Sequence, residues 1–229
     1  MNSSRPQPKR AVRPRDAATL ILVKTIRGRP AVLMGQRHSG HRFMPDHYVF
    51  PGGRVDRADH HAPEATPLAP RVAELLQRAA TPTRARALAL AAVRETFEET
   101  GLILGRPMPT PRRVPSSWSA FYASGHGPAL DALEYLTRAV TPPFRPMRFN
   151  ARFFLADASR ISGEIAGSGE LLDLDFIPIA RARKFQIPAI QLRVLETVEA
   201  YLAAPDEWRR HDSVPRYRML HGRRVADRE

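Results

Sequence analysis

The chain has 229 residues, of which 43% are hydrophobic and 26% are charged, a balance typical of a folded protein with one sizeable domain. It contains no cysteine, which excludes disulfides and thiolate metal sites, and it has no apolar run of a length that spans a membrane. We therefore expect a soluble cytoplasmic protein without a membrane partner.

The formal net charge is +13, which indicates an anionic partner. Lysine occurs only at Lys9, Lys24 and Lys184, and arginine supplies the rest of the basic side chains alongside abundant alanine and proline. This pattern indicates a compositional bias of the source genome more than a nucleic-acid interface. A phosphate-rich small molecule explains the charge equally well, so we favour a nucleotide-like substrate over nucleic acid.

The first segments along the chain are a basic arm and a hairpin. Residues 1–15 contain prolines and basic residues but no acid, which predicts a disordered arm. Residues 17–26 and 31–37 are rich in apolar and β-branched side chains and flank a Gly-Pro breaker, which predicts two paired strands. The hairpin would deliver Arg37 and Arg42 towards the next segment.

A strand that ends in Pro51-Gly52-Gly53 follows. Paired glycines let the backbone approach a ligand closely or adopt a positive φ, although an ordinary tight turn uses them as well. Residues 60–81 are rich in His, Pro and Ala and contain a short amphipathic stretch over 71–80. Thr81-Pro82 then predicts a helix start and Gly101 a helix end.

The end of this helix concentrates negative charge. At about 100° per residue, Glu98 lies about −60° and Glu99 about +40° from Glu95, so three carboxylates share one face. Like charges this close repel one another, and hard divalent cations relieve that repulsion. Taken alone, the run also fits a solvated acidic helix end, so its context decides the interpretation.

That context is a resemblance to a known motif. F-P-G-G-R-V-D at 50–56 followed by R-E-T-F-E-E-T-G-L at 94–102 resembles the Nudix box, G-x5-E-x7-R-E-U-x-E-E-x-G-U, where U is a bulky aliphatic residue. Gly53 matches the opening glycine and Asp59 stands at the first glutamate. Residues 60–93 place 34 residues where the pattern has seven. Interrupted boxes of this kind occur in a subgroup that includes the peroxisomal coenzyme A diphosphatase lineage.

The resemblance implies an α/β fold, a Nudix-type α/β/α sandwich with a mixed sheet. It also implies a helical insertion at about 60–81, between the catalytic loop and the catalytic helix. On this division, residues 16–210 form the hydrolase domain and 211–229 a basic C-terminal tail that includes either a late strand or loose chain. The second half is expected to contain strands over 118–122, 147–155 and 170–179, and helices over 130–138 and 186–203.

The resemblance further implies a metal-dependent hydrolase that uses Mg²⁺ or Mn²⁺. By motif position, the metal ligands are Glu95, Glu98 and Glu99, with the backbone carbonyl of Gly53 as a further ligand. Arg94 would orient a glutamate by a charge-assisted hydrogen bond. Such enzymes cleave the pyrophosphate bond of a nucleoside diphosphate linked to another moiety.

The motif does not fix the general base or the phosphate-binding residues. Glu98 is the first choice of base, with Glu164 and Glu170 as alternatives, and Glu170 fits an exposed strand-end glutamate as well. Arg37 and Arg42 are candidates for binding the ligand's phosphates. These assignments set the list of side chains that the structure must bring together.

Three functions follow from the resemblance. Coenzyme A or acyl-CoA is the first substrate class, because of the interrupted box. ADP-ribose, a dinucleotide or an RNA 5′ end is the alternative, the last favoured by the positive charge. A non-catalytic nucleotide-binding regulator is the third, and the intact R-E-x-x-E-E-x-G counts against it. Nudix enzymes often dimerise, so a homodimer is compatible with the resemblance.

Overall fold

The computed structural model describes residues 12–40 and 44–229. Most of the basic arm assigned to residues 1–15 lies outside these ranges, and so does the ligand-binding candidate Arg42. Arg15, which the sequence analysis placed in the arm, is the first residue of a strand.

The described residues form the following strands and helices. The strands are β1 Arg15–Ile26, β2 Arg29–Arg37, β3 Tyr48–Val49, β4 Gly52–Arg54, β5 Gly105–Pro107, β6 His126–Pro128, β7 Glu134–Val140, β8 Phe149–Asp157, β9 Leu171–Pro178, β10 Pro215–Leu220 and β11 Arg223–Arg228. The α-helices are α1 Pro70–Gln77, α2 Pro82–Thr100, α3 Ser119–Ala123, α4 Ile179–Ala182, α5 Ala189–Ala203 and α6 Pro205–Arg210. Among the helices of residues 12–40 and 44–229, none has the length and apolar character needed to cross a membrane.

Nine strands pair into one mixed sheet. Its order is β11-β10-β7-β8-β1-β2-β3, with β4 pairing with β1 and β9 pairing with β2. Strand β1 runs parallel to β8 and antiparallel to β2 and β4. The pairing of β4 places Gly52 opposite Thr19 and Gly53 opposite Ala18, so the sheet fixes the position of the glycine pair.

Helices cover both faces of the sheet, as strand β1 illustrates. Leu20 and Leu22 pack into one buried cluster with helices α1, α2 and α3, whereas Ile21 and Val23 pack into a second cluster with α5. Successive side chains of a strand point to opposite faces, so a strand covered on both sides is a continuous apolar run. The α/β/α sandwich with a mixed sheet is confirmed.

The segment between β4 and α2 packs against the body of the protein. In α1, Val72, Leu75 and Leu76 are buried in the cluster that contains α2. Arg71 Nη2 donates to the carbonyls of Trp208, at 3.1 Å, and His211, at 3.0 Å. Helix α1 is therefore tied to both the sheet-facing core and the C-terminal region. That residues 60–81 are an insertion into a shorter family pattern stays a prediction.

Two predictions for the second half are wrong. Residues 118–122 were expected to form a strand, but they form the end of a 3-10 turn and most of α3. Trp118, Phe121 and Tyr122 are buried at helical spacing, which an aromatic-rich run does not distinguish from a strand. Residues 130–138 were expected to form a helix, but a short turn leads into β7, whose pairing with β8 and β10 overrides the local pattern.

The basic C-terminal stretch contributes to the sheet. Strand β10 runs parallel to β7, with Arg216 opposite Arg138, and β11 pairs antiparallel with β10. Arg216 and Arg218 both donate hydrogen bonds to the carboxylate of Asp227. Residues that the sequence analysis assigned to a tail thus include two ordered strands.

Candidate metal and active site

Helix α2 carries the three glutamates and has the bounds that its capping residues predict. The side chain of Thr81 accepts a hydrogen bond from the backbone N–H of Arg84, at 3.3 Å. Gly101 ends the helix at φ 75°, in the left-handed region that favours glycine. The buried alanine and leucine face of α2 packs on the sheet, which sets its last turns beside strand β4.

Glu99 lies at the junction between α2 and the glycine pair. Its side chain is buried, and Oε2 accepts a hydrogen bond from the backbone N–H of Gly52 at 2.8 Å. Burial raises the pKa of Glu99 to about 8, although the Gly52 N–H partly opposes that rise. Glu99 is therefore a buried carboxylate whose charged form burial disfavours.

Arg94 connects the loop and the helix through its guanidinium group. Its Nε and Nη2 donate to the two oxygens of Asp59, at 2.8 and 3.0 Å, and Nη2 also donates to the carbonyl of Arg54 at 3.1 Å. Its Nη1 lies 2.8 Å from Glu98 Oε2 and 3.0 Å from Glu95 Oε1. Burial opposes the charge of Arg94, but its hydrogen bond to Asp59 and the neighbouring carboxylates raise its pKa. The side chain thus orients two glutamates.

Asp59 is the counterpart of Arg94 and is 0% exposed. Besides the two hydrogen bonds from Arg94, it accepts one from the backbone N–H of Asp56, at 2.8 Å, and one from Trp118 Nε1, at 3.0 Å. These four donors occupy its oxygens, so Asp59 positions Arg94 and does not face a metal. The sequence analysis missed Trp118 and its role here, because nothing in the motif points to a residue 59 positions away.

Glu95 and Glu98 lie between Arg94 and the glycine loop. Burial raises the pKa of Glu95 to about 7 and also raises the pKa of Glu98, whose side chain is 39% exposed. A Cβ atom at Gly53 would lie 2.3 Å from Glu95 Oε2, so Glu95 packs directly on that glycine. Glu98 is the glutamate that solvent reaches most readily, because Glu95 and Glu99 are more enclosed.

Arg37 and Glu170 flank the glutamates. Burial lowers the pKa of Arg37, and the negative charges of Glu99, Glu170 and Glu95 oppose that shift, which places the guanidinium beside the cluster. Glu170 is exposed just before β9, and its carbonyl accepts from the His38 backbone N–H at 3.3 Å. Its charge acts on Glu98 and Glu99.

The other base candidate, Glu164, lies in the loop that crosses the end of α2. It is exposed, and in the same loop the backbone N–H of Ala166 donates to the carbonyl of Thr100 at 2.8 Å. The structure therefore brings Glu95, Glu98, Glu99 and Gly53 together with Arg94 and Arg37. It places Glu170 at the rim.

The chemistry of the donor set suits a hard divalent cation. Three carboxylates are available on one helix, and burial raises the pKa of two of them, so a bound cation would favour the charged forms that burial disfavours. Within the described ranges, no three His, Cys, Asp or Glu side chains converge tightly enough to hold a metal as they stand. Glu95 and Glu98 face Arg94, and Glu99 faces Gly52, so binding requires these side chains to turn.

The buried glutamates make the stability of the metal-free protein depend on pH. The pKa values of Glu95 and Glu99, about 7 and about 8, lie above the ordinary 4.5, so the folded chain holds protons that the unfolded chain releases. Their contribution to the free energy of unfolding is fully present below pH 4.5 and is lost as the pH rises to about 8. We expect urea unfolding in chelator to give lower stability at about pH 8.5 than at about pH 6.

Glu99→Gln is the matched control for this pH dependence. Its side chain does not titrate, so the stability difference between the two pH values should shrink in that variant. Equal stability of the unmodified protein at both pH values would contradict the assignment, as would a slope that Glu99→Gln leaves unchanged.

Comparison with known proteins places this geometry in a wider group. No family model matches the sequence. An alignment 156 residues long, which covers 55% of this chain, is 31% identical to a Gallus gallus protein named acyl-coenzyme A diphosphatase NUDT19, and the chain spans only 39% of that relative's length. A crystal structure of a Nudix hydrolase from Alicyclobacillus acidocaldarius is similar over 83% of this chain and 96% of its own, at 27% identity and a TM-score of 0.62.

The sheet, the glycine pair and the glutamate-bearing helix define a Nudix-type α/β protein. The solved hydrolase matches this architecture along almost its entire length. The residues that resemble the Nudix box lie together in space, with Gly52 and Gly53 against Glu99 and Glu95. In sequence and in fold, the chain is similar to members of the Nudix hydrolase superfamily.

Proposed function

We propose that this chain is a divalent-metal-dependent pyrophosphohydrolase that cleaves a nucleoside diphosphate linked to another moiety. The observation that carries the proposal is the set of three glutamates on α2. The buried Arg94–Asp59 pair holds Glu95 and Glu98, and the backbone N–H of Gly52 holds Glu99. A solvated acidic helix end does not need an arginine that is buried and bonded on every side.

Each residue has a distinct task in this proposal. Glu95, Glu98 and Glu99 would hold Mg²⁺ or Mn²⁺ together with the Gly53 carbonyl. A bound divalent cation supplies charge neutralisation for the pyrophosphate and lowers the pKa of a bound water. Glu98, the most exposed of the three, is placed to accept a proton from water, and Arg94 orients it.

Two further residues complete the proposed site. Arg37 supplies a fixed positive charge beside the glutamates, where it can bind a phosphate oxygen. Glu170 stands at the rim as the second candidate for the base. Both come from the paired strands β2 and β9, since Arg37 ends β2 and Glu170 immediately precedes β9.

Coenzyme A or an acyl-CoA is the substrate that we propose. The support is the 31% identity to the chicken protein named acyl-coenzyme A diphosphatase, over 55% of this chain. Hydrolysis would break the P–O–P bond with water and release 3′,5′-ADP and phosphopantetheine or its acyl form. After hydrolysis, each product carries one of the two phosphorus atoms of the cleaved anhydride as a terminal phosphate.

A substrate panel tests both the reaction and the substrate. Coenzyme A, ADP-ribose, NADH, a diadenosine polyphosphate and 5′-triphosphorylated RNA would be incubated with Mg²⁺ or Mn²⁺ in ¹⁸O water, with products read by mass spectrometry. We expect 3′,5′-ADP and phosphopantetheine with one ¹⁸O incorporated, and no products in excess EDTA. Turnover that survives EDTA would contradict the metal requirement, and products only from another substrate would contradict the coenzyme A assignment.

A second substrate class is favoured by the net charge of +13. A basic surface attracts polyanions, so an RNA 5′ end is the alternative that the panel includes. Binding of a nucleotide without turnover of any panel member would instead indicate a regulator.

The two glycines of the loop give a matched pair of variants. In Gly52→Ala, the new Cβ would lie 2.5 Å from the Ala18 carbonyl oxygen at a φ of 153°, so backbone must move, and we expect a loss of about 2–4 kcal/mol. In Gly53→Ala, the clash is with the end of the Glu95 side chain, which can turn away. We therefore expect near-normal stability but at least about tenfold weaker Mn²⁺ binding.

Urea unfolding measures the first quantity and Mn²⁺ titration by electron paramagnetic resonance the second. The test is whether Gly52→Ala loses more stability than Gly53→Ala, and whether Gly53→Ala binds Mn²⁺ more weakly although its stability is near normal. A Gly53→Ala variant that binds Mn²⁺ as well as the unmodified protein would show that Glu95 is not a ligand.

A further inference from the structure

A buried indole from outside the motif contacts the carboxylate that anchors the glutamate helix. Trp118 ends the 3-10 turn Ser116–Trp118 and is 0% exposed. Its Nε1 donates to Asp59 Oδ1 at 3.0 Å. An indole is a donor only, and a buried donor is normally paired, so this contact fixes the direction of the ring relative to Asp59.

The hydrogen bonds of Asp59 define the plane of its carboxylate. Oδ1 accepts from Trp118 Nε1 and Arg94 Nε, and Oδ2 accepts from Arg94 Nη2 and the backbone N–H of Asp56. Without the indole, only the backbone of Asp56 and Arg94 itself would orient the group. The guanidinium is planar, so a tilt of the carboxylate tilts Arg94 and moves Nη1 away from Glu95 and Glu98.

We propose that Trp118 is a positioning residue for the glutamate cluster, acting through Asp59 and Arg94. Its N–H holds the Asp59 carboxylate in the plane that Arg94 needs, and Arg94 then holds Glu95 and Glu98. This inference rests on the proposed function of those glutamates as metal ligands. Trp118, Asp59 and Arg94 are all buried, so the contacts that join them are shielded from solvent.

Trp118 also packs in the core, so the ring and the N–H must be tested separately. Its ring centroid lies 5.4 Å from that of Phe121 and 5.7 Å from that of Tyr122. The chain has one other tryptophan, Trp208, which is also buried. Among the described residues, Trp208 Nε1 has no hydrogen-bond partner, so Trp208→Phe removes a core indole without removing such a contact.

The experiment compares Trp118→Phe, Trp208→Phe, Asp59→Leu and the double variant Asp59→Leu/Trp118→Phe. Mn²⁺ affinity is measured by electron paramagnetic resonance, which does not depend on turnover. We expect Trp118→Phe to weaken Mn²⁺ binding about tenfold, as loss of an outer-shell hydrogen bond typically does. Trp208→Phe should leave the affinity unchanged, and Trp118→Phe should add nothing in the Asp59→Leu background, where no acceptor for the indole remains.

Unchanged Mn²⁺ affinity in folded Trp118→Phe would overturn the proposal, and so would a loss of affinity that persists in the Asp59→Leu background. If Trp118→Phe does not fold, 3-benzothienylalanine at position 118 removes the N–H while keeping the shape of the ring. If the unmodified protein binds no Mn²⁺, the proposed function fails but Trp118 is still tested by ¹⁵N NMR. The exchange-protected Arg94 Nε–H signal should then be lost with the indole N–H, and its persistence would overturn the positioning role.

Discussion

Glu98→Gln is expected to lower kcat by about 10²–10⁴-fold while leaving the fold intact. Glutamine keeps the shape of the side chain and an oxygen that can accept from Arg94 Nη1, now 2.8 Å from Glu98 Oε2. It cannot accept the proton of an attacking water, and it is a poor ligand for a hard cation. The side chain is partly exposed, so its replacement should change the melting temperature little. Steady-state kinetics with the panel substrate that turns over, and thermal unfolding, measure the two effects.

Glu170→Gln is the control that separates the two candidates for the base. Glu170 is exposed at the rim of the site, whereas the hydrogen bonds of Arg94 go to Asp59 and Glu98. We expect Glu170→Gln to lose much less activity than Glu98→Gln. Near-normal turnover by a folded Glu98→Gln, together with a large loss in Glu170→Gln, would reverse the assignment.

Local signals in the sequence predict the glutamate helix well. Thr81 and Gly101 cap it, and helical periodicity alone puts Glu95, Glu98 and Glu99 on one face. The glycine pair is visible in the sequence as well, although its place in strand β4 depends on pairing with the distant strand β1. Caps, turns and periodicity depend on residues a few positions apart, so a single sequence contains them.

Contacts between distant segments were not predictable in this way. Asp59 and Trp118 are separated by 59 positions, and no periodicity joins them. Strand β7 shows the same limit, because its pairing with β8 and β10 decides its structure against a local pattern that favours a helix. Asp59 stands where the Nudix box has a glutamate, and this departure is visible in the sequence. Only the fold shows that Arg94 and Trp118 donate hydrogen bonds to its carboxylate.

Some of the arginines form ion pairs that join segments of the folded protein. Arg84 pairs with Asp16, Arg86 pairs with Glu64, and Arg94 pairs with Asp59. These arginines hold helix α2 to strand β1 and to the segment that precedes the helix. Each pair cancels one positive and one negative charge, so the net charge of +13 is carried by basic side chains outside these pairs and attracts a polyanion and a small phosphate-bearing substrate alike.

Asp59→Asn is expected to destabilise the protein by about 3 kcal/mol, because it breaks a buried ion pair from one side. Both partners are enclosed, with side chains exposed by 0% for Asp59 and 6% for Arg94. In one orientation an asparagine amide would turn its NH₂ group towards Arg94 Nη2 and the Asp56 N–H, and in the other towards Arg94 Nε and Trp118 Nε1; all four are donors themselves. Glu95 and Glu98 still face Arg94, which keeps the cost at the lower end for such a loss. For a chain of this size the melting temperature should fall by about 6–12 °C.

Asp56→Asn is the matched control for this loss. Its Oδ1 accepts from the Ala58 N–H, and an asparagine retains that acceptor, so we expect a change below about 1 kcal/mol. The double variant Asp59→Leu/Arg94→Leu removes both charges and should recover part of the stability lost in Asp59→Asn. It should not recover Mn²⁺ binding, because Glu95 and Glu98 would have lost the group that orients them. Recovery of both properties would show that the buried pair contributes to stability alone, and that the glutamates find their positions without it.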